Sequence, residues 1–222
     1  MHIGVLFPQT EIGSDPGGLR EYARAVTEAG FDHVVTYEHV LGAIPERLPR
    51  DYAPYGLKDE FHEPFTLFSF MAAVAPELSF ATGILVLPQR QTALVAKQAA
   101  DVFLKSGGKF RLGVGIGWNF AEFEGLGCDF ASRAARMEEQ VEVLRLLWNR
   151  QELDYQGRFH QLRGLGLNPR PRGPSRSGSE ARRSQLSREQ HCWGMASSPC
   201  ERWRAAGRPP SSGCAAGASR PG

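Results

Sequence analysis

Apolar residues in this chain fall into short continuous runs separated by stretches with a helical repeat. Ile3 to Phe7 is the first run, closed by Pro8, and reads as a strand buried on both faces. Leu19, Tyr22, Ala23 and Val26 follow at i, i+3, i+4 and i+7, which predicts a helix opened by Asp15-Pro16-Gly17-Gly18 and stopped by Gly30. Asp32 to Tyr37 predicts the next strand. Pro64 through Val74 predicts a helix ended by Pro76, and Leu78 to Leu87 a third strand. Thr92 to Lys105 reads as a helix with Val95, Ala99, Val102 and Phe103 inward, and Phe110 to Gly115 as strand four. A short segment, Asn119 to Leu126, precedes a long helix from Ala131 to Trp148 with a stripe of Met137, Val141, Leu144 and Trp148. Leu153 to Leu162, with Gly157 central, predicts a hairpin. Strict alternation of strand and helix implies an α/β fold with a parallel sheet, either a (β/α)8 barrel or an open doubly wound sheet.

The periodicity stops after Asn168-Pro169, and composition changes there too. Residues 1–169 hold 16 Lys and Arg against 21 Asp and Glu, whereas residues 170–222 hold 10 Arg against 3 Glu, so the overall +2 describes neither part. The tail has no Ile, Val or Phe and one Leu, Leu186. It cannot bury enough apolar surface to offset ordering entropy, so disorder is expected from residue 170 to 222. A basic tail invites a nucleic-acid reading, but only Trp193 and Trp203 interrupt it, so no specific nucleic-acid partner is expected. Cys192, Cys200 and Cys214 lie in the tail and Cys128 stands alone, which shows neither a disulfide framework nor zinc spacing and points to a reducing cytoplasm. The first residues lack a charged region before a long apolar one, and no run approaches the ~18 apolar residues of a membrane span.

Candidate chemistry gathers beyond the carboxyl ends of the predicted strands, where parallel α/β folds place their sites. Those ends are Phe7-Pro8-Gln9, Tyr37-Glu38-His39, Leu85-Val86-Leu87-Pro88-Gln89-Arg90 and Gly115-Ile116-Gly117-Trp118-Asn119. The set is aromatic and amide-rich with one Glu–His pair, and suits a flat hydrogen-bonding heterocycle better than a metal. Alternating Gly113, Gly115 and Gly117 mark a close approach to the backbone. They are not a dinucleotide fingerprint, because Trp118 stands where the third glycine is needed. The long loop from Glu38 to Glu63, with Tyr52, Tyr55 and Phe61 interleaved, reads as a lid or binding segment or as a plain surface excursion.

Several segments, in order, resemble the luciferase-like family, and most closely its branch of oxidoreductases that use coenzyme F420, a deazaflavin. They are Val5 to Pro8, Glu38-His39-Val40, Thr82 to Pro88 followed by Ala96-Lys97-Gln98, Ser106 to Asn119, and Arg136-Met137-Glu138-Glu139. The resemblance implies a (β/α)8 TIM barrel, of which residues 1–169 supply about the first four βα units, and full-length members are expected to be homodimers. It implies hydride transfer between F420 and a small organic substrate, with an FMN-dependent monooxygenase as the alternative on the same fold. It implies catalytic roles for His39 and Glu38, His39 handling the proton that accompanies hydride transfer. It further implies a cofactor site drawn from Phe7, Gly83, Ile84, Gln89, Gly115, Gly117, Trp118 and Asn119, with a cis peptide near Gly83-Ile84 behind the ring. Trp118 replaces a glutamate of sugar-phosphate-oxidising members, which argues against such substrates.

Where members of the family continue with further strand–helix units, Arg170-Pro171-Arg172-Gly173-Pro174 appears instead. The tail is expected to be a frameshift product, which sequencing of the gene would check. A truncated barrel is expected to be poorly stable and impaired in cofactor binding, and a third reading of the chain is a non-catalytic product with a basic tail.

Overall fold

The structure, a computed structural model, describes residues 2–48 and 54–171. Expectations for the tail beyond Pro171, its cysteines included, and for Tyr52 in the long loop lie outside the described residues.

Chain order is β1 (Gly4–Leu6), α1 (Pro16–Glu28), β2 (His33–Thr36), α2 (Pro64–Val74), β3 (Ser79–Thr82), β4 (Leu85–Val86), α3 (Thr92–Lys105), β5 (Phe110–Arg111), β6 (Val114–Gly115), α4 (Phe120–Gly125), α5 (Arg133–Asn149), β7 (Leu153–Gln156) and β8 (Gln161–Leu165). Strands β1, β2, β3 and β5 form one parallel sheet in that order, β4 and β6 a second parallel pair, and β7 and β8 an antiparallel hairpin. Strand order follows chain order without reversal, and α1 packs on α2, α2 on α3 and α3 on α5. That is barrel winding, with the helices on one face, and it decides against the doubly wound alternative.

Register sorts the two faces. Val5, Val34, Phe80 and Phe110 stand side by side; the last three belong to the hydrophobic core, Val5 packs partly buried against it, and Phe68 meets both Phe80 and Phe110. Leu6, Val35, Ala81 and Arg111 occupy the other face, and there Leu6 is 59% exposed. The expectation that the first strand is buried on both faces is therefore corrected. Its helix-side residues are covered, and no described element lies over the opposite face.

The third and fourth strands each break in two. Between β3 and β4 lies the cis peptide Gly83-Ile84, where the resemblance placed one. Between β5 and β6, the Thr82 hydroxyl bridges the gap by accepting from Gly113 N–H at 2.8 Å and donating to Gly113 O at 2.7 Å. Buried backbone groups interrupted in a ladder need such partners, and a strand threonine supplies both roles from one atom.

Helix α5 is rotated from the predicted stripe. Gln140, Val143, Leu144 and Leu147 are its buried residues, while Met137, Val141 and Trp148 are partly buried at the edges. A glutamine takes the central position because its Nε2 donates to Leu87 O, Arg90 O and the Thr92 hydroxyl. The donor side alone holds the amide, since Oε1 is buried without a hydrogen-bond partner, and the hydrophobic pattern does not reveal such a residue.

Candidate active site

The end of β2 delivers Tyr37, Glu38 and His39 to the rim of the sheet, and alternation sends them to different fates. Glu38 turns inward and is 4% exposed. Its Oε1 accepts from Val86 N–H at 2.6 Å and from Arg90 Nε at 3.3 Å, and its Oε2 pairs with Arg90 Nη2. Burial pushes the Glu38 carboxyl up, and Arg90 and the Val86 N–H only partly offset it. Arg90 Nη1 also reaches Glu63, which caps α2 through Thr66 N–H. Glu38 thus joins the ends of β2 and β4 to the start of α2, and its oxygens are engaged by these partners.

His39 faces the other way, into a pocket of about 190 Å³ lined by His39, Val40, Leu41, Tyr55, Phe61 and Asn119, among others. Its Nδ1 lies 3.1 Å from Glu122 Oε2, and the two side chains are 12% and 1% exposed. Glu122 Oε1 accepts from the N–H of Val40 at 2.5 Å and of Leu41 at 3.1 Å. Burial would raise the Glu122 carboxyl, but His39 and the two backbone donors outweigh it and hold the group below its ordinary range. Three donors thus meet one buried carboxylate.

Rings close the rest of the pocket. His39 meets Phe61 edge-on with centroids 5.0 Å apart, and Trp118 and Tyr55 at 5.6 Å. Tyr55 in turn packs on Phe61 and Tyr37, and its hydroxyl donates to the Tyr37 hydroxyl at 3.3 Å. Burial and that hydroxyl pair push Tyr37 up to about 12, so the Tyr37 phenol stays protonated at neutral pH. Gln9, fully buried, ties the end of β2 to the segment before α2: its Nε2 donates to the Thr36 hydroxyl, Tyr37 O and His62 O, and its Oε1 accepts from His62 N–H.

The other sequence-derived candidates scatter. Phe7 is fully buried in the hydrophobic core against Tyr22 and His62, on the helix side of the sheet. The close approach marked by Gly115 and Gly117 comes from the protein itself. A Cβ on Gly115 would lie 2.8 Å from Ile84 Cδ1, and one on Gly117 2.5 Å from Val86 Cγ1. Gly83 in the same way makes room for Val35. Asn119 lines the pocket and spends its Oδ1 on capping α4, accepting from Glu122 N–H at 3.3 Å. Gln89 is 7% exposed with neither side-chain Oε1 nor Nε2 bonded to protein.

Glu122 is the residue that sequence reasoning missed. Its signal is the spacing Asn119-x-x-Glu122 ahead of a helical stretch, a capping-box pattern. Here the glutamate reaches across to the loop after β2 instead of back to its own cap. Aromatic walls and one imidazole fit a flavin or deazaflavin in character; Gln89, a buried amide with donor and acceptor to spare, lies outside the residues that line this pocket.

The sequence matches the luciferase-like monooxygenase family over residues 1–211, a span that runs beyond Pro169 into the basic tail. Among curated relatives, pyrimidine monooxygenase RutA of Methylobacterium radiotolerans is 35% identical over 131 residues, 54% of this chain and 34% of the relative. Monooxygenase RslO1 of Streptomyces bottropensis superposes with a TM-score of 0.63 at 25% identity, covering 77% of this chain and 50% of that one. An F420-dependent secondary alcohol dehydrogenase, in complex with an F420-acetone adduct, gives 0.60 at 21% identity over 77% and 49%. The oxygenating constituent of 3,6-diketocamphane monooxygenase of Pseudomonas putida, in complex with FMN, gives 0.58 at 18% over 72% and 42%. The chain spans about half the length of the first curated relatives it matches, 54% of each. With the barrel winding, the broken third strand and a family match over nearly all of its length, the chain belongs to the luciferase-like monooxygenase family.

Proposed function

We propose that this chain carries part of the site of a luciferase-like oxidoreductase that moves a hydride between coenzyme F420 and a small organic substrate, with His39 as the proton-handling group. The observation that carries the reading is a single imidazole held by a buried carboxylate in an aromatic pocket beyond the end of β2. When bound, the deazaflavin supplies the hydride chemistry. The protein supplies water exclusion through Tyr55, Phe61 and Trp118, orientation through Glu122, and a proton site at His39 Nε2. Gln89 is the residue whose free amide suits a ring carbonyl or ring N–H. Glu38 supports the site from behind through Arg90.

A second reading, an FMN-dependent monooxygenase, is favoured by the activities named for RutA and RslO1, which exceed the F420-dependent neighbour in identity. Titrating the 222-residue chain with F420 and with FMN, and following the change in each cofactor's absorbance and fluorescence, separates the two. With the preferred cofactor, His39→Ala should lower kcat by roughly 10²- to 10⁴-fold and leave cofactor affinity within a few-fold. An unchanged kcat would remove His39 from the chemistry.

A further inference from the structure

We infer that Glu122 is a positioning residue: it locks the His39 imidazole in the tautomer with the proton on Nδ1, leaving Nε2 as the ring's proton acceptor. The geometry rests on three contacts to one carboxylate, Nδ1 to Oε2 at 3.1 Å and the N–H groups of Val40 and Leu41 to Oε1 at 2.5 and 3.1 Å. The backbone donors occupy one oxygen and turn the other to the imidazole. A carboxylate only accepts, so the ring nitrogen opposite it has to donate. A neutral imidazole has one N–H, and spending it on Glu122 leaves Nε2 with its lone pair. No described hydrogen bond involves Nε2.

Among the described residues, the hydrogen bond to Glu122 is the one recorded for the ring. Trp118, Tyr55 and Phe61 meet it through their rings. Asn119, whose amide also lines the pocket, is turned to the start of α4. The same carboxylate fastens the loop after β2 to α4, and Arg47 pairs with Glu124, two residues further along α4. Tautomer and loop position are therefore set by one side chain, whose place in turn follows from the Asn119 cap. The catalytic consequence, a base aimed at the substrate, rests on the function proposed above; the tautomer does not.

Glu122→Gln separates the two roles. Its carbonyl oxygen can still accept from Val40 and Leu41, which holds the loop. Its amide then presents N–H donors to Nδ1, which forces the imidazole proton to Nε2. Nitrogen-15 NMR of the uniformly labelled 222-residue chain at pH 8, with His39 assigned by the signals that disappear in His39→Gln, reads the tautomer directly. The expected result is a proton on Nδ1 in the parent chain and on Nε2 in Glu122→Gln, with both chains melting cooperatively by circular dichroism. A parent chain with its proton on Nε2, or a mixed population, would overturn the inference, and that measurement decides even if the variant does not fold. A folded Glu122→Gln with the parent tautomer would overturn it as well. With cofactor bound, Glu122→Gln is expected to lower kcat by about 10- to 100-fold with KM little changed. A swapped tautomer with unaltered kcat would refute His39 as the base while leaving the assignment of Glu122 to tautomer control intact.

Discussion

Gly117 sits at φ +71°, and a Cβ there would meet Val86 Cγ1 at 2.5 Å and Phe123 Cε2 at 3.1 Å. Two separate penalties fall on any side chain at this position, a left-handed backbone and a filled space. Gly115 carries only the second, against the terminal methyl of Ile84. Gly117→Ala is accordingly expected to cost about 2–4 kcal/mol and Gly115→Ala about 1–3 kcal/mol. Urea denaturation of the two variants checks the order, and a Gly117→Ala midpoint at or above that of Gly115→Ala would contradict it. The alternating glycines were visible in the sequence as a place of close approach, but not what approaches. The occupant comes from a strand about thirty residues earlier, and only the register of β4 on β6 brings Ile84 and Val86 there.

At the scale of elements, the hairpin is fastened to α5 by one carboxylate. Glu139 accepts from the N–H of Arg158, Phe159 and His160 at 2.8, 2.9 and 2.8 Å and contacts His160 Nδ1 at 2.8 Å. The other imidazole nitrogen lies 2.6 Å from the Thr92 hydroxyl, which Gln140 also reaches, so the hairpin, α3 and α5 share one polar junction. Burial would raise Glu139, but His160 and the three N–H groups overcome it and lower its pKa in the folded state. A carboxylate lowered on folding adds stability above its unfolded pKa of about 4.3, and that stability is lost as pH falls through the folded value. Amides of β7 and β8 should therefore exchange faster at pH 3 than expected from the rest of the sheet, after correction for intrinsic rates. In Glu139→Gln this extra acid sensitivity should vanish. An equal pH response in both chains would mean that Glu139 is not the fastener.

Most elements were legible from hydrophobic period and punctuation. Pro64 and Pro76 bracket α2, Thr92 and Ser106 bracket α3, and Gly30 at φ +80° follows α1 as read. What stayed hidden was polar and long-range. Gln140 at the centre of a buried helix face, Thr82 as a clip between strands and Glu122 beside His39 owe their places to partners 31 to 83 residues away. Periodicity reports burial of apolar faces, and a buried polar group looks exposed to it until its partner is known.

For the whole molecule, the open face of the sheet sets the expectation. Leu6, the last residue of β1, is 59% exposed although it pairs with Val35, which in turn pairs with Ala81. In the 222-residue chain Leu6→Lys is expected to change stability by less than about 0.5 kcal/mol, as exposed sites usually do. A loss of about 2 kcal/mol or more in thermal or urea unfolding would show that something covers this face in solution. Among the described residues no helix is long and apolar enough to cross a membrane.

The contact between Ile84 and Gly115 also bears on how sites of this kind drift. The two positions share one small volume, held at fixed separation by the pairing of β4 and β6. A shorter side chain at 84 would free the space that keeps 115 a glycine, so a larger residue at 115 costs less once that change is made. In evolutionary terms the two positions are coupled: a substitution at 84 eases one at 115.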